Sequence, residues 1–162
     1  MFKKFFYKIK DYLISLLIPW GIGLLSALVS GSAMKDFQNL DQPPLSPPMI
    51  LFPIVWSILY TLMGISAARV YKNAGFDKKA AKDGLSYYAA SLVVNFFWSI
   101  LFFNFKVYLI AFVWLLLLLL LIVKTIVEYH KVDRLAAYLQ IPYAVWVAFA
   151  GYLTMGVYIL NR

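Results

Sequence analysis

Charged positions cut the chain into five long apolar runs. Charge-free stretches cover residues 12–34, 42–68, 84–105, 107–123 and 135–161, close to the ~20 residues a helix needs to cross ~30 Å of hydrocarbon. The second run opens with Gln42-Pro43-Pro44-Leu45-Ser46-Pro47-Pro48. Proline has no N–H to give a helix but is tolerated at its first turn, so the helix is expected to start near Met49. The fourth run is short, and its helix extends past Lys124, whose long stem carries the ammonium to the interface. Helices are therefore expected over about 12–34, 49–70, 84–105, 107–128 and 135–160, with a loop at 35–48, in a single domain spanning residues 1–162. Lipid leaves every backbone polar group to be satisfied internally, by helices or a closed barrel, and runs such as 115–121 lack the in-out alternation of barrel strands. The expected fold class is an all-α membrane protein, a bundle of five transmembrane helices.

Composition agrees. The chain is 64% apolar and 14% charged, against about 25% charged in a soluble domain. This excludes a disordered chain and a water-facing globule. With no cysteine, disulfide scaffolds, thiolate metal sites and cysteine nucleophiles are out. The net charge of +8 reads as membrane-flanking charge, not a nucleic-acid footprint. Sorted over five spans, Lys3, Lys4, Lys8, Lys10, Arg69, Lys72, Lys78, Lys79, Lys82, Lys124, Lys131 and Arg134 fall on one face, and Lys35, Lys106 and Arg162 on the other. The positive-inside rule then puts the N-terminus in the cytoplasm, and the C-terminus and the 35–48 loop outside. Four or six spans would break that segregation. The basic start resembles a signal-peptide n-region, but the apolar run after it is too long and a small-x-small cleavage site is missing before Lys35, so the first helix is expected to be retained.

No ionisable residue falls mid-span, which removes the usual parts of a proton-coupled pump. His130, the one histidine, sits in a charged loop and reads as a solvated interfacial residue, not a metal or haem ligand. Met63 and Met155 read as packing. No metal site is expected. The spans do carry aromatics at helical spacing beside a few polar groups. Phe52, Trp56 and Tyr60 recur every four residues on the second helix, Asn95, Trp98, Ser99 and Phe102 mark the third, and Tyr143, Trp146, Phe149 and Ala150 follow Pro142 on the fifth. An amide in hydrocarbon needs partners, so Asn95 faces the bundle interior, either as interhelical glue or as a binding group. Trp20 and Trp114 read as packing or as interfacial belt. Pro53 and Pro142 kink helices or free carbonyls, in a cavity wall or in an inert bundle alike. On the first helix Gly23, Ala27 and Gly31, with Ser26 and Ser30 on a neighbouring row, permit close helix approach, within the chain or across a dimer seam.

The segment from Pro43 to Pro48 leading into Phe52-Pro53-Ile54-Val55-Trp56-Ser57-Ile58-Leu59-Tyr60, then Asn95-Phe96-Phe97-Trp98-Ser99 to Phe103, then Pro142-Tyr143-Ala144-Val145-Trp146 to Ala150, resembles the TspO/translocator protein family of tryptophan-rich sensory proteins, or peripheral benzodiazepine receptors. The resemblance covers nearly the whole chain. It implies a five-helix bundle, commonly a homodimer, binding tetrapyrroles such as protoporphyrin IX, sterols and benzodiazepine-site ligands in a pocket closed by the first loop. It implies that Trp56 and Trp146 are the paired pocket tryptophans associated with porphyrin binding and, in some bacterial members, with light- and oxygen-dependent porphyrin breakdown. Asn95 and Trp98 match the third-helix motif, Ala150 the small residue beside the ligand, and Phe37 a loop position where tyrosine is common. Leu45 and Ile50 stand where tryptophan is frequent, Thr154 where asparagine is, and Asp36 and Gln42 where tryptophan and lysine are. The sterol-type pattern Leu153, Tyr158, Arg162 is weak.

The expectation is a porphyrin-binding sensory protein of a bacterial cell membrane, with Phe37, Phe52, Trp56, Tyr60, Asn95, Trp98, Ser99, Phe102, Tyr143, Trp146, Phe149 and Ala150 around the ligand and Lys35, Gln38 and Asn39 meeting its propionates. Porphyrin is a ligand here and no cofactor is required; lipid or sterol are further partners, and nucleic acid is not. Two alternatives stand beside it. One is a photo-oxidative porphyrin-degrading enzyme with Trp56 or Trp146 as catalytic relay, the other a small exporter or translocator of tetrapyrroles or lipids.

Overall fold

A computed structural model describes residues 2–162, with side chains from Ile9 onward. Met1 and the side chains of Lys3, Lys4 and Lys8, which the charge count used, lie outside the described residues. The chain forms α1 (Phe2–Ser30), a short α2 (Met34–Phe37), α3 (Leu51–Lys72), α4 (Lys78–Ser99) running on as a π turn over Ile100–Asn104, α5 (Tyr108–Val132) and α6 (Arg134–Leu160). Five of these helices are long and apolar enough to cross a membrane: Ile9–Ser30, Leu51–Lys72, Lys78–Asn104, Tyr108–Val132 and Arg134–Leu160.

Helix ends differ from the charge-free limits where side chains satisfy the termini. Asp77 caps α4, its carboxylate accepting from the Ala80 N–H at 2.9 Å, so the helix starts six residues before Gly84 and carries Lys79, Lys82 and Asp83 in its first turns. Asp133 caps α6 in the same way, accepting from the Ala136 N–H at 3.0 Å. Its other oxygen takes Arg69 Nη2 and Asn73 Nδ2, each at 2.8 Å. Burial opposes the charge on Asp133, but the Ala136 N–H, Arg69 and Asn73 outweigh it and hold the pKa below the ordinary carboxylate value. One side chain thus ties the end of α3 to the start of α6.

At the loop end, α1 stops at Ser30, four residues before the charge-free run does. The π turn of α4 supplies the reason. The Ser30 hydroxyl donates to Asn104 Oδ1 at 2.8 Å, and Asn104 Nδ2 donates to the Val29 carbonyl at 3.2 Å. The extra residue of a π turn re-aims a side chain, and here it supplies partners to the exposed end of α1.

The core runs through α3, α4, α5 and α6, with Met63, Ala68, Val70, Leu118, Tyr129, Ala136, Tyr143 and Val157 fully buried. Buried polar groups pair across it: Gln140 Nε2 donates to Ser66 Oγ at 3.2 Å, which donates to the Ala136 carbonyl at 2.7 Å. Trp114 does the packing expected of it, its indole donating to the Val94 carbonyl at 2.8 Å. His130 is exposed as expected, but on the last turn of α5 and not in a loop. The small-residue row of α1, left open between a dimer seam and internal packing, is internal at Gly23, where the ring of Tyr60 occupies the space a side chain would need.

Candidate functional site

In the loop-side half of the bundle, α1, α3, α4 and α6 enclose a cavity of about 400 Å³. Four of the chain's five tryptophans line it: Trp20, Trp56, Trp98 and Trp146. The four-residue step of Phe52, Trp56 and Tyr60 puts all three on the cavity face of α3. Trp56 stacks on Tyr60 with ring centroids 5.3 Å apart. Asn95 Nδ2 donates to the Tyr60 hydroxyl at 3.3 Å, so the amide is both interhelical glue and part of the wall. On α4, Trp98 stacks on Phe102 at 5.3 Å. It is 8% exposed and its indole N–H is buried without a partner. From α6, Trp146 meets Phe52 edge-on at 5.9 Å, and Ala150 keeps the next turn low. Trp20 Nε1 donates to Thr61 Oγ1 at 3.3 Å, closing the seam between α1 and α3.

Of the twelve residues the sequence suggested, Phe52, Trp56, Tyr60, Asn95, Trp98, Ser99, Trp146 and Ala150 line this cavity. Phe37, Phe102, Tyr143 and Phe149 stand behind the wall. Phe37 from α2 is buried against Phe102 at 5.5 Å and Phe52 at 6.3 Å, making it a plug under the loop. Phe102 backs Trp98, Tyr143 meets Trp56 edge-on at 6.2 Å, and Phe149 packs on Trp146 at 5.6 Å. Phe102 and Tyr143 share a helix face with the lining residues Trp98 and Ala150, a turn or two farther along, so their spacing is right although none of the four lines the opening.

Lys35, Gln38 and Asn39, expected to reach a ligand, are exposed and do not line the cavity. The loop is strapped along α6 instead. Tyr152 donates from its hydroxyl to the Pro44 carbonyl at 2.7 Å, and Asn161 exchanges bonds with the Asp41 backbone at 2.8 and 3.0 Å. Asp36 pairs with Lys106 at 3.0 Å, and Gln42 Nε2 donates to the Phe37 carbonyl at 3.1 Å. Leu45 is 83% exposed at a left-handed turn (φ 68°), Ile50 is also exposed, and Thr154 is buried.

Sequence reading missed the α1 side of the cavity: Trp20, Gly23, Ser26, Ala27 and Ser30, together with Met34. By sequence alone Trp20 reads as packing or belt. The signal was present, since Trp20 stands three residues before the small row, and a helix that presents small residues inward leaves room for a guest as readily as for another helix. No Asp, Glu, Lys or Arg among the described residues lines the cavity. Its chemistry is aromatic stacking plus a few neutral hydrogen-bonding groups, including the unpartnered Trp98 indole and Ser26 hydroxyl.

The TspO/MBR family model matches residues 15–160, which includes every residue that lines this cavity. The chain belongs to the TspO/MBR family. Its sequence is 37% identical over 139 residues to Protein CrtK of Rhodobacter capsulatus, covering 86% of this chain and 85% of that one. It is 36% identical over 125 residues to the tryptophan-rich protein TspO of Chlorobaculum tepidum (77% and 78% covered), and 35% identical over 138 residues to the translocator protein of Bos taurus (85% and 82%). It is an integral membrane protein.

Proposed function

We propose that this TspO/MBR protein is a membrane receptor for a flat, amphipathic tetrapyrrole of the protoporphyrin type, held in the tryptophan-lined cavity. The observation that carries the reading is the convergence of four of five tryptophans, from four different helices, on one apolar space. Interfacial anchoring would spread indoles around the bundle rim. Indole faces stack on extended π systems, and the unpartnered Trp98 N–H offers a donor to a ring nitrogen or carbonyl oxygen. Because charged side chains are missing from the described lining, the propionates belong outside it, past Met34, where Lys35 follows. Sterols and benzodiazepine-type molecules share the apolar, planar character and are expected to compete.

The test is a protoporphyrin IX titration in detergent. Saturable quenching of tryptophan fluorescence is expected in the parent, and its loss in Trp56→Phe/Trp146→Phe. Equal saturable quenching in both proteins would discard the site.

A second reading, photo-oxidative breakdown of the bound porphyrin, draws support from Trp56, which touches both Tyr60 and Tyr143. An oxidised indole there has phenols beside it to supply an electron. A discrete bilin-like product under light, lost in the tryptophan variants, would favour catalysis over bleaching.

A further inference from the structure

A second cavity, of about 350 Å³, lies in the other half of the bundle between α1, α3 and α4, and shares no lining residue with the first. Its walls are mostly apolar, with Ile14, Ile18, Ala67 and Leu92 among them; Ser15 and Tyr71 add a hydroxyl each, and Asp11 and Tyr88 are two further polar groups. Asp11 sits on the α1 side, with no ion pair among the described residues. Tyr88 of α4 is 5% exposed, and its hydroxyl is buried with no hydrogen-bond partner. A buried hydroxyl left unpaired costs stability, and a native structure keeps one where something else satisfies it. Water or a ligand oxygen would do so.

We propose that this inner cavity is a binding site for a cationic amphiphile, a molecule with a protonated amine that meets the Asp11 carboxylate and an apolar body carrying an oxygen that accepts from the Tyr88 hydroxyl. The volume lies within the range of small-molecule sites, about 300–1,000 Å³. The carboxylate selects the sign of the head group. Lys10 beside it in sequence, and Lys72 held over the Tyr12 ring at 4.3 Å, supply positive charge at the same end of the bundle, so an anionic head could also be drawn there by the general field. Asp11 within the lining is what favours the amine over the acid. The site is independent of the tetrapyrrole reading.

The experiment uses an alkylamine photoprobe bearing a mid-chain ether oxygen and a diazirine, with its carboxylate-headed analogue as control, on the full chain in lipid nanodiscs. Cross-linked peptides are mapped by mass spectrometry. The amine probe is expected to label the 67–71 and 85–92 segments saturably, about tenfold more strongly than the carboxylate, as a charge-assisted contact implies. Asp11→Asn is expected to remove that preference. Ala89→Trp, which fills the cavity from an exposed lining position, is expected to remove the labelling. Tyr88→Phe is expected to weaken labelling while leaving the fold at least as stable. Labelling unchanged in Trp56→Phe/Trp146→Phe separates this site from the first. Equal labelling by both probes, or labelling indifferent to Ala89→Trp, would overturn the proposal.

Discussion

Helices α5 and α6 meet at Asp133, which closes one helix, caps the next and takes Arg69 and Asn73 from α3. Across the next seam, Gly84 of α4 leaves space that the ring of Tyr129 from α5 fills. Helix α1 is held differently. Only 11% of its most apolar stretch is buried, against 39% for α3, α4 and α6. It touches α3 through bare backbone, at Gly64 against Leu16 and at Gly23 against Tyr60, and both cavities open along it. The firm side of the bundle is stapled by charge and filled by tyrosine. The α1 side is a wall that rests on glycines, and both cavities lie along it.

The largest expected effect comes from filling one of those rests. A Cβ at Gly64 would lie 2.8 Å from Leu16 Cα and 2.9 Å from the Ser15 carbonyl oxygen, so no side-chain rotation relieves it. Gly64→Leu is expected to push α1 outward and cost about 3 kcal/mol, as overpacking does, read as a fall in Tm in detergent. Next is the staple. Asp133→Ala removes a helix cap and strands Arg69, with an expected loss of about 2 kcal/mol on thermal unfolding and little change in tetrapyrrole affinity of the folded fraction. The folded pKa of Asp133 is lowered. Its contribution is therefore fully present above the ordinary carboxylate value of about 3.9 and fades as pH falls through the lowered one. Asp133→Asn should be insensitive to that acid window, as Tm against pH will show.

Gly23→Ala sets a methyl against the Tyr60 ring. That ring can move only by giving up its stack on Trp56 and its bond from Asn95. A destabilisation of about 1 kcal/mol is expected together with about tenfold weaker protoporphyrin IX binding. If Gly23→Ala lowers Tm and leaves affinity intact, α1 is not a wall of the site. The smallest effect belongs to the strap: Tyr152→Phe frees the Pro44 carbonyl to solvent and should cost about 0.5 kcal/mol, seen as faster amide exchange in the loop.

Much of this was legible in the residues. Five spans followed from where charge is absent, and the α3 face followed from the four-residue step of Phe52, Trp56 and Tyr60. Asn95 was placed inward because an amide in hydrocarbon demands a partner. What stayed hidden depends on distances between helices. Trp20 is distinguished from a belt tryptophan only by its place against Thr61, and Phe102 and Phe149 from lining residues only by their packing behind Trp98 and Trp146. The loop's polar side chains looked available because nothing in the sequence announces that Tyr152 and Asn161, more than 100 residues away, hold the strap against α6. The caps at Asp77 and Asp133 are hidden for a similar reason, since an acidic residue beside an apolar run marks its boundary whether or not it caps a helix.

The most direct test replaces all five tryptophans with 5-fluorotryptophan and follows their ¹⁹F resonances as protoporphyrin IX is added. Trp114, bonded to the Val94 carbonyl away from the cavity, serves as the internal reference. Saturable shifts or broadening of the Trp20, Trp56, Trp98 and Trp146 resonances, with Trp114 unmoved, are predicted. Uniform drift of all five, or a saturable response confined to Trp114, would contradict the account.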